Sequence, residues 1–240
     1  MLEFESNLWE WSTDSKLVIL TGAGVSAESG IKTFRDAGGL WEGHRVEEVA
    51  TPEGFAANPK LVIDFYNARR KQLKEVLPNP GHMAISRCSQ RLNHRFHLIT
   101  QNVDDLHQRA GTQNVYPMHG ELKKLRCLEN EHLLETSEVQ DFDQICPTCQ
   151  SYLRPNIVWF GEMPFYMEKL QRLISECTHF IYCGTSSLVY PAAGFKQLAK
   201  MAGAKVLCIN LDIPNFDPDT DLFLKGKSSQ LLPQILDVLN

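Results

Sequence analysis

Short apolar runs that stop on glycine or polar residues recur along the chain, and stretches with helical spacing lie between them. Residues 16–20 form an apolar run that ends at Thr21, Gly22, Ala23 and Gly24, the pattern of a buried strand meeting a tight turn. Residues 95–99 lead likewise into Thr100, Gln101 and Asn102, residues 180–183 into Gly184, Thr185 and Ser186, and residues 205–209 into Asn210, Leu211 and Asp212. Four apolar strands with such tips predict a parallel sheet that gathers ligands along one edge. Over residues 59–75 helical spacing groups Leu61, Val62, Phe65, Ala68 and Leu73, and residues 192–201 and 228–239 read similarly. Alternation of this kind implies crossovers and an α/β fold with a Rossmann-like, doubly wound parallel sheet. The stretch 121–155 breaks the rhythm with charged residues and with Cys127, Cys146 and Cys149, just before another apolar run at 157–160. The expected organisation is one domain over residues 1–240 carrying a small inserted module at about 121–155.

Composition narrows the class of protein. A chain of 240 residues at 43% hydrophobic buries a full core. Its formal charge of −5 argues against a nucleic-acid binder, which needs a basic face to displace counterions, and suits a basic protein substrate better. Residues 1–15 are acidic and lack the basic start and apolar core of a signal peptide, and no later run reaches membrane-spanning length. Of seven cysteines, Cys88, Cys177, Cys183 and Cys208 sit in apolar surroundings that suit buried thiols, which leaves a reducing cytoplasm as the expected compartment. The chain is read as a monomer without membrane or nucleic-acid partners.

The turn Gly22-Ala23-Gly24-Val25-Ser26-Ala27 fits the form in which bare backbone admits a pyrophosphate and a following helix N-terminus supplies N–H donors. An ordinary dehydrogenase would show a second strand ending in an acidic residue about 20 positions on. Here residues 34–41 are a polar, glycine-rich loop, so standard hydride transfer is disfavoured. Phe34 and Arg35 stand in that loop, an aromatic ring to cover a flat group and a guanidinium to neutralise phosphate, beside the plainer readings of a core ring and a solvated charge.

Gln101, Asn102, Val103 and Asp104 follow a strand although an amide and a carboxylate are costly to desolvate without a partner. They either bind something or cap a helix over 105–110. His119 follows a strand-like piece at 114–116, and an imidazole in such company is equipped to take a proton from a ribose hydroxyl. Gly184, Thr185, Ser186, Asn210, Leu211 and Asp212 offer backbone N–H groups, hydroxyls, an amide and a carboxylate for ribose and adenine, or are simple strand-to-loop transitions.

Together these residues resemble the sirtuin family, from about Lys16 to the last helix. The resemblance rests on residues 22–30, Thr33-Phe34-Arg35, Gln101-Asn102-Val103-Asp104, His119-Gly120, Val158-Trp159-Phe160-Gly161-Glu162 and Gly184-Thr185-Ser186. It implies an NAD-dependent protein lysine deacylase, in which the acyl oxygen of lysine attacks the NAD ribose and nicotinamide leaves. Free lysine, nicotinamide and O-acyl-ADP-ribose are then the products. In that scheme His119 is the general base, Asn102 and Asp104 position ribose and water, Phe34 shields the reacting centre and Arg35 grips phosphate. Ala27, Glu28, Thr33, Trp41, Val103 and Ser228 join the dinucleotide site by the same resemblance. Residues 158–162, with Val158, Phe160, Gly161 and Glu162, resemble an edge that pairs with substrate backbone. Mono-ADP-ribosyl transfer and non-catalytic NAD sensing are the competing readings.

Two features refine the resemblance. Tyr66-Asn67-Ala68-Arg69, with Ala50 upstream, is similar to the desuccinylase-type, bacterial-like sirtuins. Tyr66 and Arg69 lie three apart on a helix, so a phenol and a guanidinium converge on a carboxylate such as that of succinyl- or malonyl-lysine, while Ala50 leaves room for the chain. The plainer reading makes Arg69 part of a solvated run with Arg70 and Lys71. The family also carries a structural zinc, in a zinc-ribbon-like module, on two Cys-x-x-Cys pairs. Cys146 and Cys149 supply one pair, but Asn130 stands where the partner of Cys127 is expected. Glu129, Glu131 and His132 are then candidate fourth ligands, or the module is held by packing without metal.

Overall fold

A computed structural model describes residues 11–32, 40–41, 43–136, 139–186, 190–212 and 217–237. The first apolar run forms β1 (Leu17–Thr21), followed by the short helix α1 (Ala23–Ala27). A small hairpin, β2 (Leu40–Trp41) and β3 (His44–Arg45), leads into α2 (Val46–Val49), α3 (Pro52–Ala57) and α4 (Pro59–Glu75). Asn58 caps α4 by accepting from the Leu61 N–H, with Pro59 in the first turn, where a missing N–H costs nothing. Asn79 and Pro80 repeat the device for α5 (Pro80–Leu92).

Next come β4 (Phe96–Thr100), α6 (Leu106–Arg109) and β5 (Val115–Pro117). The strands β6 (Gly120–Cys127), β7 (Leu133–Glu135) and β8 (Leu153–Ile157) form a separate antiparallel sheet in the order β7-β6-β8. The chain closes with α7 (Met167–Ser175), β9 (His179–Cys183), α8 (Phe195–Met201), β10 (Lys205–Asn210), β11 (Leu222–Lys225) and α9 (Ser228–Leu236).

The main sheet has six strands in the order β11-β10-β9-β1-β4-β5, all parallel. Alternate residues of β1 show why its run is apolar throughout. Leu17 and Ile19 pack with Ile85 and Cys88 of α5 and Leu232 and Leu236 of α9, whereas Val18 and Leu20 pack with Leu170 and Ile174 of α7 and Phe195 of α8. Helices cover both faces, as a doubly wound sheet requires. A third apolar cluster joins α4 and its neighbours to Leu122, Ile157 and Trp159.

The apolar run at 157–160 is where a strand ends, since β8 covers Leu153–Ile157 with every residue buried. Its polar members are tolerated because Arg154 pairs with Glu162 in two hydrogen bonds, Nη1 to Oε1 at 2.7 Å and Nη2 to Oε2 at 2.9 Å. The plainer reading of 69–71 as a solvated run is corrected for its two arginines, while Lys71 is exposed. Arg69 and Arg70 are both buried, and Arg70 donates to the Leu122 carbonyl at 2.6 Å and to Asn67 Oδ1 at 2.8 Å. Among the described residues no helix is long and apolar enough to cross a membrane.

Candidate active site

The tips of β1 and β9 are locked together through glycine. A Cβ on Gly22 would lie 2.7 Å from the Gly184 carbonyl oxygen, and one on Gly24 would lie 2.8 Å from the Gly184 Cα. Gly184 has φ +60°, and its carbonyl accepts the Gly24 N–H at 2.8 Å. The glycines therefore bring two backbone turns into contact, while no side chain caps the start of α1. Ala23 and Ala27 are exposed, and the exposed Glu28 holds the N–H and hydroxyl of Ser229 at the start of α9, beside the buried Ser228. Thr185 ties the neighbouring tips to these turns, since its hydroxyl accepts from Gln101 Nε2 at 2.9 Å and its carbonyl from Asn210 Nδ2 at 2.7 Å. Ser186, Leu211 and Asp212 continue these tips. Thr33, Phe34 and Arg35 lie outside the described residues.

Behind the turns lies a buried polar network with a definite hydrogen-bond direction. His82 Nδ1 accepts the Asn79 N–H at 3.3 Å, so its Nε2 carries the proton and donates to Ser26 Oγ at 3.4 Å. Asn102 Nδ2 donates to the same oxygen at 3.0 Å. With both lone pairs of Ser26 taken, its own proton is left for the carboxyl of Asp104, against which it lies. Asp104 also accepts the Leu106 N–H at 3.1 Å, so it serves the helix start as well as the network. Burial pushes its carboxyl above the usual range, against the opposing pull of that N–H, of Ser26 and of the Arg69 charge. Beneath, the Thr21 hydroxyl donates to Thr100 at 2.9 Å and contacts His107 Nε2 at 3.1 Å, and the His107 ring sits 4.7 Å from that of His82. Burial lowers His82 to about 4 and lowers His107 also, so both are neutral rings at pH 7.

His119 is half-buried beside this network, with Nδ1 3.1 Å from the Gln101 carbonyl. A carbonyl only accepts, so Nδ1 carries the proton and Nε2 keeps its lone pair. Burial lowers the imidazole below its usual value, partly opposed by that hydrogen bond, which leaves a neutral base at pH 7. Val103 meets β6 through its carbonyl, which accepts the Leu122 N–H at 2.8 Å.

Tyr66 and Arg69 project from α4 into the same region. Tyr66 is fully buried, with its hydroxyl 3.0 Å from Trp159 Nε1, and the Arg69 guanidinium lies 4.4 Å from the centre of the Trp41 ring. The Arg69 charge acts on both Tyr66 and Asp104. A cavity of about 500 Å³ opens beside Arg69, lined also by His44, Asp64 and Phe65. Residues 158–162 run alongside. Val158 N–H binds the His119 carbonyl and Phe160 N–H the carbonyl of the buried Ala50, both at 2.9 Å. Trp159 N–H binds Glu162 at 2.8 Å, and Phe160 and Gly161 are exposed.

In the antiparallel sheet Cys127, His132, Cys146 and Cys149 bring one ligand atom each to within 4.8 Å of one another. Tetrahedral zinc, with sulfur at about 2.3 Å and nitrogen at about 2.0 Å, sets ligand-to-ligand edges of about 3.5–3.8 Å. Cys127 and Cys149 sulfurs are 3.8 Å apart, and Cys146 sulfur is 3.5 Å from His132 Nδ1. Asn130 takes another part, its N–H donating to the Cys127 sulfur at 3.3 Å. Hydrogen bonds from Ser151 bring the Cys149 thiol down to about 5, into the thiolate form that metals require.

Motif reading took Ser26 and Trp159 only as members of the glycine turn and of the 158–162 edge, and it missed the supporting residues His82 and His107. The two threonines closing β1 and β4 were their one outward sign, since both end an apolar strand on a hydroxyl.

The Sir2 family model matches residues 22–191. An NAD-dependent protein deacylase of Pasteurella multocida (strain Pm70) is 49% identical over 225 residues, covering 92% of this chain and 96% of that protein. A crystallised Sir2 homologue in complex with NAD superposes with a TM-score of 0.88 at 38% identity, covering 99% of this chain and 94% of that one. A mutant Sir2 homologue in complex with 2'-O-acetyl ADP-ribose superposes with a TM-score of 0.84 at 38% identity, covering 95% and 93%. With the family model spanning most of the chain and a relative this similar over nearly its full length, the chain belongs to the Sir2 family.

Proposed function

We propose that this chain is an NAD-dependent protein lysine deacylase that removes acetyl groups and, with preference, the carboxylated succinyl and malonyl groups. The observation that carries the reading is the placement of His119. Its Nδ1 is held by the carbonyl of Gln101, the residue that precedes Asn102, and its Nε2 is left basic.

The turns around Gly22, Gly24 and Gly184 hold the pyrophosphate, and Thr185, Ser186, Asn210 and Asp212 hold the adenosine end. Bound NAD supplies an electrophilic ribose carbon and a leaving nicotinamide. His119 Nε2 takes a proton from a ribose hydroxyl, which raises the nucleophilicity of that oxygen toward the transferred acyl carbon. Asn102 and Asp104, oriented through Ser26, fix the ribose and the water whose oxygen completes the release of free lysine. Tyr66 donates to, and Arg69 pairs with, the carboxylate of the acyl chain. Residues 158–162 receive the peptide backbone. Zinc on Cys127, His132, Cys146 and Cys149 holds the antiparallel module and takes no part in the reaction.

Incubation with NAD and succinyl-lysine or acetyl-lysine versions of one peptide is expected to release nicotinamide in step with deacylation. Arg69→Met is expected to cut desuccinylation about tenfold or more while reducing deacetylation much less. No nicotinamide release with any acyl-lysine defeats the reading, and equal losses defeat the carboxylate assignment.

A further inference from the structure

The Tyr66 hydroxyl has one proton to give and two lone pairs to fill. Among the described residues its one hydrogen bond is to Trp159 Nε1, at 3.0 Å, and an indole N–H only donates. The oxygen is therefore the acceptor there, and the phenolic proton remains unspent. Burial raises the phenol far above the neutral range, so the proton is always present. A phenolic O–H lies close to the ring plane and has two settings. An N–H arriving on one side leaves the proton on the other.

Trp159 is itself fixed on several sides. The Arg154 guanidinium lies 3.4 Å from the centre of its ring, and Phe55 packs at 5.1 Å between ring centres. Its backbone N–H binds Glu162 Oε2 at 2.8 Å, the same carboxylate that grips Arg154. The indole is buried, with 2% of its surface exposed. The arrangement ends at the Tyr66 hydroxyl. Its output is the direction of one hydroxyl, beside the guanidinium of Arg69.

We infer that Trp159 is a positioning residue for acyl-group selectivity, its indole N–H aiming the Tyr66 hydroxyl so that the phenol donates to a carboxylate at the end of the acyl chain. The inference rests on the proposed preference for carboxylated acyl groups. A neutral acyl chain offers no such acceptor, so the device acts on selectivity and leaves the chemistry of deacylation to other residues. It also predicts a coupling: without the Tyr66 hydroxyl, the indole N–H has nothing to aim.

The test uses the full chain and one peptide carrying either succinyl- or acetyl-lysine, with kcat and KM measured for each. In Trp159→Phe the ratio of kcat/KM for succinyl over acetyl is expected to fall about five- to tenfold, mainly through a higher KM for the succinyl peptide. In a Tyr66→Phe background, adding Trp159→Phe is expected to lower the ratio no further. A bicyclic residue with sulfur in place of the indole N–H, introduced at position 159, keeps the ring volume and removes the donor alone. It is expected to reproduce the fall, and it carries the test if Trp159→Phe does not fold. An unchanged ratio in the sulfur variant overturns the inference, as do losses that multiply in the double variant. Arg69→Met separates the two levels. A succinyl preference that collapses in Arg69→Met but survives loss of the indole N–H overturns the role of Trp159 alone, whereas a wild-type protein without that preference overturns the reading beneath it.

Discussion

The polar network under the strand tips and the antiparallel sheet both depend on groups that core packing alone would not supply, yet they are built on opposite principles. The network lies inside apolar layers, and its imidazoles, hydroxyls and amide are neutral and hydrogen-bonded to one another, with His107 Nδ1 left without a partner among the described residues. The antiparallel sheet has almost no interior. Its buried cluster is Leu125, Cys127, Cys146 and Leu153, while Leu128, Leu133, Phe142, Ile145 and Tyr152 remain exposed. Two of those four buried side chains are candidate metal ligands, so on the proposed reading a metal would stand in for a core there. Acid should therefore injure the first region, and chelation the second.

The largest effect expected is catalytic. His119→Ala should lower kcat about 10²- to 10⁴-fold, because the loss removes the proposed general base. The melting temperature checks the interpretation, since a large fall would mean that the imidazole holds the structure together. Next in size, Cys146→Ser or a strong chelator should release one zinc per chain and expose residues 121–155 to protease. Metal analysis and limited proteolysis read this directly, and a metal-free module that stays resistant would show that packing suffices.

The smallest effect is the acid response of the network. His82 binds its proton at about 4 in the fold and near its ordinary 6.5 when unfolded. Between those values the unfolded chain holds more protons, so stability rises with pH across the window. It is complete above about 6.5 and is lost as pH falls toward 4, by an amount on the order of 3 kcal/mol. Urea unfolding between pH 7 and 4 measures it. His82→Gln should make the dependence shallower, with His107, lowered by burial in the same way, supplying the remainder, and an equally steep profile in that variant would place the acid sensitivity elsewhere.

The same contrast explains what was legible in the sequence. Strands buried on both faces read as unbroken apolar runs, so β1, β4, β9 and β10 and the polar residues at their tips were visible, and these carry most of the candidate site. The helix α5 was not, because His82, Ser86 and Ser89 are buried and blur its apolar face. For the same reason β8 was hidden by the buried polar Arg154 and Asn156, the first of which depends on Glu162 beyond the strand, and β11 was too short to stand out. His132 was one of several possible ligands until the β6-β7 turn brought its Nδ1 to Cys146. Spacing reports which residues share an element, and says little about which distant polar groups will satisfy one another.

Gln101 receives little notice as a chemical group, yet it touches three neighbours at once: its N–H reaches the Thr21 carbonyl at 2.9 Å, its carbonyl meets His119, and its side chain meets Thr185. The position of the imidazole is thus inherited from the alignment of the central strands, because Gln101 directly follows β4 and His119 sits in the short turn between β5 and β6. A slip of one residue between β1 and β4 would carry the base away from its target while leaving its composition and surroundings nearly the same. The accuracy of the reaction centre is, to that extent, the accuracy of the sheet.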